Sequence, residues 1–216
     1  MKMDIISNFV VFEGGDGSGT STQLGILRQN FSSEKWENIN FYPTFEPTDG
    51  EIGKIIRKVL SKNLIFQADT LARLFAADRT EHLYSENGIA KRCKAGELVV
   101  CDRYVLSSLV YQGIECGDDL PFSLNKPFPA PEILFFFDIE PELAQKRMGN
   151  RPSLEIYEYL DFQKKVREKY LSLLDWYRGE GVDVKVIDAS QTVEKVAKDV
   201  WSVLSKMPIM EYGEAV

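Results

Sequence analysis

The chain has 216 residues, 44% of them hydrophobic and 27% charged, the balance of an ordinary folded domain with room for one core and a small lid. A formal net charge of -7 argues against a nucleic-acid binder, which shows a basic face or a basic overall balance. No apolar run approaches the roughly 18 residues of a bilayer span, and the N-terminal MKMDIISNF has an acid inside it and no apolar core of signal-peptide length. In chain order, residues 8–13, NFVVFE, read as a buried strand and 20–31 as a helix. Residues 38–42 read as a weaker strand. Residues 50–62 read as a helix with apolar positions at Ile52, Ile55, Ile56, Val59 and Leu60. A long helical stretch is expected over 69–95, then a strand at 98–102, LVVCD, and a short helix at 105–113. Residues 114–132 read as an irregular connection. ILFFFDI at 133–139 is a continuous apolar run, as in a central strand covered on both faces. Helices at 141–148 and 156–179, a strand at 182–188 and an amphipathic helix at 192–206 complete the chain. Alternating strands and helices imply a parallel sheet with helices on both faces. Ligands of such sheets sit at the carboxyl ends of the strands, which gathers the loops after residues 13, 42, 102 and 138 around one cleft.

The residues Gly14-Gly15-Asp16-Gly17-Ser18-Gly19-Thr20-Ser21 have the glycine spacing of a phosphate loop, between a predicted strand and a predicted helix. The glycines let successive N–H groups curl onto phosphate oxygens, and the following helix adds its positive end. Ser21 stands where the motif's hydroxyl holds Mg²⁺. The loop's usual lysine is absent and Thr20 takes its place. A glycine-rich turn without a ligand is the bland alternative; strand, spacing, Ser21 and helix all speak against it. The missing lysine is a point charge on the β- and γ-phosphates, so its loss touches catalysis more than binding. Three cysteines, Cys93, Cys101 and Cys116, show no metal-like spacing, and an odd, sparse count suits a reducing cytoplasm. A single histidine, His82, disfavours a histidine-rich metal site.

FEGGDGSGTSTQ at 12–23, LFAADRTEH at 74–82 and CDRYVLSSLVYQG at 101–113, in that order, resemble the thymidylate kinases, which are P-loop nucleoside monophosphate kinases. The resemblance runs from about residue 8 to about residue 200, and the stretch from Asp102 to Gly113 is its most specific part. It implies a P-loop NTPase-type three-layer α/β sandwich, with a five-stranded parallel sheet and helices on both faces. A single domain would span 1–216, with a small lid inserted at about 148–157. The implied activity moves the γ-phosphate of ATP to dTMP, giving dTDP, with Mg²⁺, in a cytoplasmic homodimer.

The resemblance also assigns roles. Gly14, Gly15, Asp16, Gly17, Ser18, Gly19, Thr20, Ser21 and Thr22 would cradle ATP, Arg147 would stack on adenine, and Ser190 would flank it. Ser21 and Asp102 would hold Mg²⁺. Asp16 would approach the acceptor's sugar and phosphate; as a lone residue it is equally a helix-start cap. Phe75 and Arg79, four apart on one helical face, would stack on thymine and donate to a base carbonyl, where core packing is the plain alternative for Phe75. Arg103 would clamp the acceptor phosphate with its fork of donors. A structural Asp102–Arg103 pair is the alternative. Ser107, Ser108 and Tyr111 would line the base edge and the sugar, and helix packing competes with that reading. Tyr157 and Gln163 would touch the acceptor from the lid side. Phe45-Glu46-Pro47 departs from the Arg-Glu-Pro of many bacterial relatives, so Phe45 would contact the nucleotide as an aromatic and an acceptor-phosphate arginine is missing there. Some members keep a catalytic basic residue in the phosphate loop and others in the lid. The corresponding loop position is Gly17, which makes Arg151 in the lid the candidate catalytic cation; its alternative is a solvated charge.

One preorganised donor in such a site is worth about 3–4 kcal/mol in the transition state. Candidates to make up for the lost lysine are Mg²⁺ on Ser21, Arg103, Arg151, Lys164 and Lys165. The expectation is an active kinase with an atypical loop. Two other classes stay open: a nucleotide-binding protein without turnover, and a kinase for another deoxynucleoside or deoxynucleoside monophosphate.

Overall fold

β1 (Ile5–Gly14) is the centre of the sheet in this computed structural model, which describes residues 2–149 and 156–212. Its Phe9, Val10, Val11 and Phe12 are all fully buried, because helices cover both faces. The chain then runs through α1 (Thr20–Phe31), β2 (Phe41–Phe45), α2 (Glu51–Leu60), α3 (Ala68–Tyr84), α4 (Ile89–Lys94) and β3 (Leu98–Asp102). It continues through α5 (Val105–Cys116), α6 (Asp119–Asn125), β4 (Ala130–Asp138), α7 (Pro141–Met148), α8 (Leu160–Glu180), β5 (Asp183–Asp188) and α9 (Val193–Leu204). The five strands pair in parallel in the order β2-β3-β1-β4-β5.

The period-two alternation of β1 sorts the core into two halves. Phe9 and Val11 face a layer built from α2, α3, α4, α5 and α8. Val10 and Phe12 face α1 and α9, whose Leu24, Leu27, Val196, Val200 and Leu204 close the other side. The result is the expected three-layer α/β/α sandwich. Register levels the ends that matter: Phe12 of β1 and Phe45 of β2 both pair with Asp102 of β3. Glu13, Glu46 and Arg103, the next residue of each, therefore lie side by side at the strand ends.

The structure alters three expectations. The strand expected at 38–42 lies at Phe41–Phe45 instead. Residues 34–36 form a 3₁₀ turn that packs Trp36 against Phe31 and Trp201, and Pro43 is tolerated because β2 is an edge strand. The long helix expected over 69–95 is two helices, α3 and α4. Between them, Gly88 folds back until a Cβ there would lie 2.6 Å from the carbonyl oxygen of Leu83, so the Ser-Glu-Asn-Gly at 85–88 is a turn. The connection expected to be irregular over 114–132 contains α6 and the start of β4. Its prolines at 121, 127, 129 and 131 hide a short helix from periodicity. Most of the expected lid, 150–155, lies outside the described residues.

Candidate active site

The phosphate loop links β1 to α1. Gly17 and Gly19 hold φ of +79° and +93°, the left-handed region that glycine enters without strain. At Gly17 the backbone is also crowded: a Cβ would lie 2.9 Å from both the Ala144 carbonyl oxygen and the Met148 Cγ of α7. A side chain at that loop position would be strained in φ and crowded against α7. Ser18 N–H bonds the Gly15 carbonyl at 3.2 Å, and Gln23 N–H bonds the Gly19 carbonyl at 3.0 Å as α1 begins.

Ser21 Oγ donates to Asp102 Oδ2 at 2.5 Å. The other oxygen, Asp102 Oδ1, is buried and has no hydrogen-bond partner. An orphaned carboxylate oxygen beside a hydroxyl fits Mg²⁺, a hard cation that takes one or two protein oxygens and completes its shell with phosphates and water. Among the described residues, no group of three or more His, Cys, Asp or Glu side chains forms an all-protein metal cage. Bound there, the ion would neutralise charge on the transferring phosphate.

Two pockets meet above the loop. The pocket over the loop is lined by residues 15–23 of the loop and α1, by Arg147 and Met148, and by Ala189, Gln191, Thr192 and Val193, with Ser190 outside the lining. Arg147 donates to the carbonyls of Ala189, Ser190 and Gln191 at 2.5, 2.7 and 3.1 Å, which bridges α7 to the loop after β5. Ser190 Oγ itself turns back to Asp188. The second pocket brings together Phe75, Arg79, Arg103, Ser107, Ser108, Tyr111 and Tyr157, and is also lined by Glu46, Arg57, Leu60 and Gln112. Asp16 and Arg103 belong to both linings.

Arg103 sits at the junction with φ of +70°, unusual for a residue with a side chain. Its guanidinium donates to Asp16 Oδ1 at 2.6 Å and to the Gly14 carbonyl at 2.9 Å, with Tyr111 OH at 3.3 Å. Asp16 is held from behind as well. Gln163 of α8 donates to Asp16 Oδ2 at 2.7 Å and accepts from Asp16 N–H at 3.0 Å. Gln163 thus buttresses the phosphate loop and lies outside the lining of the second pocket. Burial pushes the Tyr111 phenol above its ordinary pKa, so it remains a neutral hydroxyl. Tyr157 donates to Glu115 Oε2 at 2.6 Å and stacks on Phe162.

Arg79 is 1% exposed. Its Nε and Nη2 reach Glu46 Oε2 at 2.9 and 2.6 Å, Nη2 also reaches the Tyr104 carbonyl and Ser108 Oγ, and Nη1 reaches Asn125 Oδ1. The guanidinium forms the pocket's polar wall and its plane is set by Glu46. Phe75 lies four residues earlier on the same face. Phe45 is outside the lining, with the Arg57 guanidinium 5.6 Å above its ring. Arg57 donates to the carbonyls of Thr48 and Pro47 and so stands at the mouth of the pocket. Arg57 thus stands beside Phe45, where the sequence lacks the arginine of Arg-Glu-Pro. Its sequence signal was weak, since an arginine on an amphipathic helix reads as a solvated charge. Glu13, Glu46 and Asn125 were also missed. The one available signal was a lone carboxylate ending an apolar strand, in NFVVFE and again in FYPTFE.

Arg151 lies outside the described residues. Lys164 is exposed and paired with Glu142 at 2.7 Å. Neither it nor Lys165 lines the pocket over the loop, where Arg103 and Arg147 are the cations among the described residues.

A phosphate loop at the end of a central parallel strand, facing a second pocket across a shared arginine, defines a P-loop phosphotransferase. The family model for thymidylate kinase matches residues 12–200. A Treponema pallidum protein described as a thymidylate kinase is 46% identical over 197 residues, 90% of this chain and 93% of that one. One from Methanococcus aeolicus is 38% identical over 201 residues, 90% of this chain and 94% of that one. The solved thymidylate kinase of Candida albicans superposes with a TM-score of 0.78 at 24% identity, covering 94% of this chain and 93% of its own. The chain belongs to the thymidylate kinase family.

Proposed function

We propose that this chain transfers the γ-phosphate of ATP to dTMP with the two pockets in the donor and acceptor roles. Family membership gives the activity itself: ATP-dependent phosphorylation of dTMP to dTDP. The observation that carries the assignment of roles is that Asp16 and Arg103 line both pockets, so a phosphate passing between them meets the same cation on either side.

In this reading the backbone N–H groups of residues 14–22 and the start of α1 cradle the ATP phosphates. Arg147 and Ser190 flank adenine. Ser21 and Asp102 hold Mg²⁺, which supplies charge neutralisation when bound. The acceptor's phosphate meets Arg103 and Arg57, its base meets Phe75, Arg79, Ser108 and Gln112, and Tyr111 walls the sugar. Phosphoryl transfer asks for positioning and charge neutralisation more than covalent chemistry. Arg103, with Arg151 from the lid at about 148–157, supplies the positive charge that Thr20 does not. Tyr157 closes the acceptor side and Gln163 acts through Asp16. The reading includes a single domain over 1–216 and a homodimer, supported by the exposed Leu64, Ile65 and Phe66 between α2 and α3. Free thiols at Cys93, Cys101 and Cys116 support a reducing cytoplasm. Nothing in the fold or the relatives favours a binding protein without turnover or a different acceptor.

The test is ADP release from ATP and Mg²⁺ with and without dTMP. The expected result is ADP only with dTMP from the protein carrying Thr20, loss of at least about a hundredfold in Arg103→Ala, and a clear fall in Arg151→Ala. Clear dTMP binding by calorimetry with no ADP would overturn it.

A further inference from the structure

Glu13 is fully buried, yet it touches neither pocket. It is the next-to-last residue of β1, and four donors converge on its carboxylate. Tyr104 N–H and Ser107 N–H reach Oε1 at 2.9 and 3.1 Å. Ser107 Oγ and Tyr170 OH reach Oε2 at 2.5 and 2.9 Å. An unpaired carboxylate in such a place is costly, and the set of donors is what makes it tolerable.

The two backbone donors belong to the start of α5. Tyr104 is the residue before the helix and offers no side-chain cap, so its first N–H groups need an outside acceptor. Glu13 provides it from across the sheet, with its charge at the positive end of the helix. The same bond fixes Arg103. The Arg103 N–H bonds the Phe12 carbonyl at 2.8 Å, and the next N–H, on Tyr104, bonds Glu13. The left-handed Arg103 is clamped on both sides by consecutive residues of β1. Strained conformers of this kind persist only where their surroundings over-determine them.

We propose that Glu13 is a positioning residue for the transfer reaction. It holds Arg103 in its left-handed conformation and holds the acceptor helix α5 at a set offset from the phosphate loop, which grows from the same strand end. The Phe12 carbonyl and Glu13 take the N–H groups of Arg103 and Tyr104, while the carbonyls of the same two residues accept from Cys101 Sγ and Arg79 Nη2; Glu13 is the side chain that takes an N–H there. The proposal rests on Arg103 as the acceptor-phosphate cation.

The test is a double-mutant cycle of Glu13→Gln and Arg103→Ala, read by dTMP affinity and by kcat and KM for each nucleotide. Glutamine keeps the shape and one acceptor but places an amide against Ser107 Oγ and Tyr170 OH. Expected in Glu13→Gln are dTMP binding weaker by about tenfold, a fall in kcat and ATP affinity within about twofold of the parent. In the Arg103→Ala background the same substitution should have little further effect on dTMP affinity. Tyr170→Phe, which removes one donor to Oε2, should show the same dependence on Arg103 more weakly, and it decides the matter if Glu13→Gln does not fold. An undiminished effect without Arg103, or equal losses for both nucleotides, would overturn the proposal. If Arg103→Ala itself leaves dTMP affinity unchanged, the underlying role of Arg103 fails instead.

Discussion

Arg79 and Glu46 form an ion pair sealed from water, 1% and 3% exposed at the side chain. Such a pair adds little net stability over an apolar replacement, but breaking one side strands a buried charge. Arg79→Met is therefore expected to cost about 3–5 kcal/mol of folding stability in a urea titration, besides weakening dTMP binding. Glu13 gives a pH signature. Burial raises its pKa above the ordinary 4.5, against hydrogen bonds and the Arg103 charge that pull it down. A carboxyl that holds its proton more tightly when folded loses stability as pH rises from its unfolded pKa through its folded one. The stability of the parent relative to Glu13→Gln should accordingly decline upward from about pH 4.5. A flat difference across that range, from urea titrations at successive pH, would show that the pKa is not raised.

At the scale of elements, α3 is a ruler for the acceptor loop. Phe75, Asp78, Arg79 and His82 fall at i, i+3, i+4 and i+7, one helical face. Asp78 accepts from Thr48 N–H and Thr48 Oγ at 2.7 Å each, Arg79 pairs with Glu46, and His82 bridges Glu46 and Thr44. From the other side, α2 approaches so closely at Gly53 that a Cβ there would overlap the backbone of Thr48. Gly53→Ala should push this loop toward the pocket and raise the dTMP KM several-fold while sparing that of ATP, as steady-state kinetics with each nucleotide varied would reveal. The Phe75–Arg79 pair on α3 was legible as spacing, and the 12–23 and 101–113 stretches were legible outright, because each motif is contiguous and its chemistry is local. Two of the three misreadings, the continuous 69–95 helix and the irregular 114–132 connection, came from local signals. A four-residue turn was overrun by helical periodicity, and prolines masked a seven-residue helix.

Across the whole molecule, the half of the core formed by α2, α3, α4, α5 and α8 buries Cys93 and Cys101. Cys93 is pushed up to about 12 by burial, and Cys101 is also raised well above its ordinary value by burial. Cys116 is only partly covered. Since the thiolate is the reactive form, a disulfide reagent at neutral pH should titrate a single slow thiol in the native protein and three after denaturation. Fast reaction of two or more native thiols would mean that the sheet and its helical layers open more readily than their packing implies.

The alternation of five parallel strands with helices, the phosphate loop with its threonine, and the stretch from Asp102 onward follow from sequence alone, since alternation, glycine spacing and short motifs act over a few residues. Which charges are buried, and beside what, was decided by tertiary structure. Glu13 meets Tyr170 across 157 residues, Arg79 meets Glu46 across 33 and Asn125 across 46, and Asp16 meets Gln163 across 147. A buried charge depends on partners that only the layering of sheet and helices brings within hydrogen-bond reach, and no local pattern in the chain encodes that meeting.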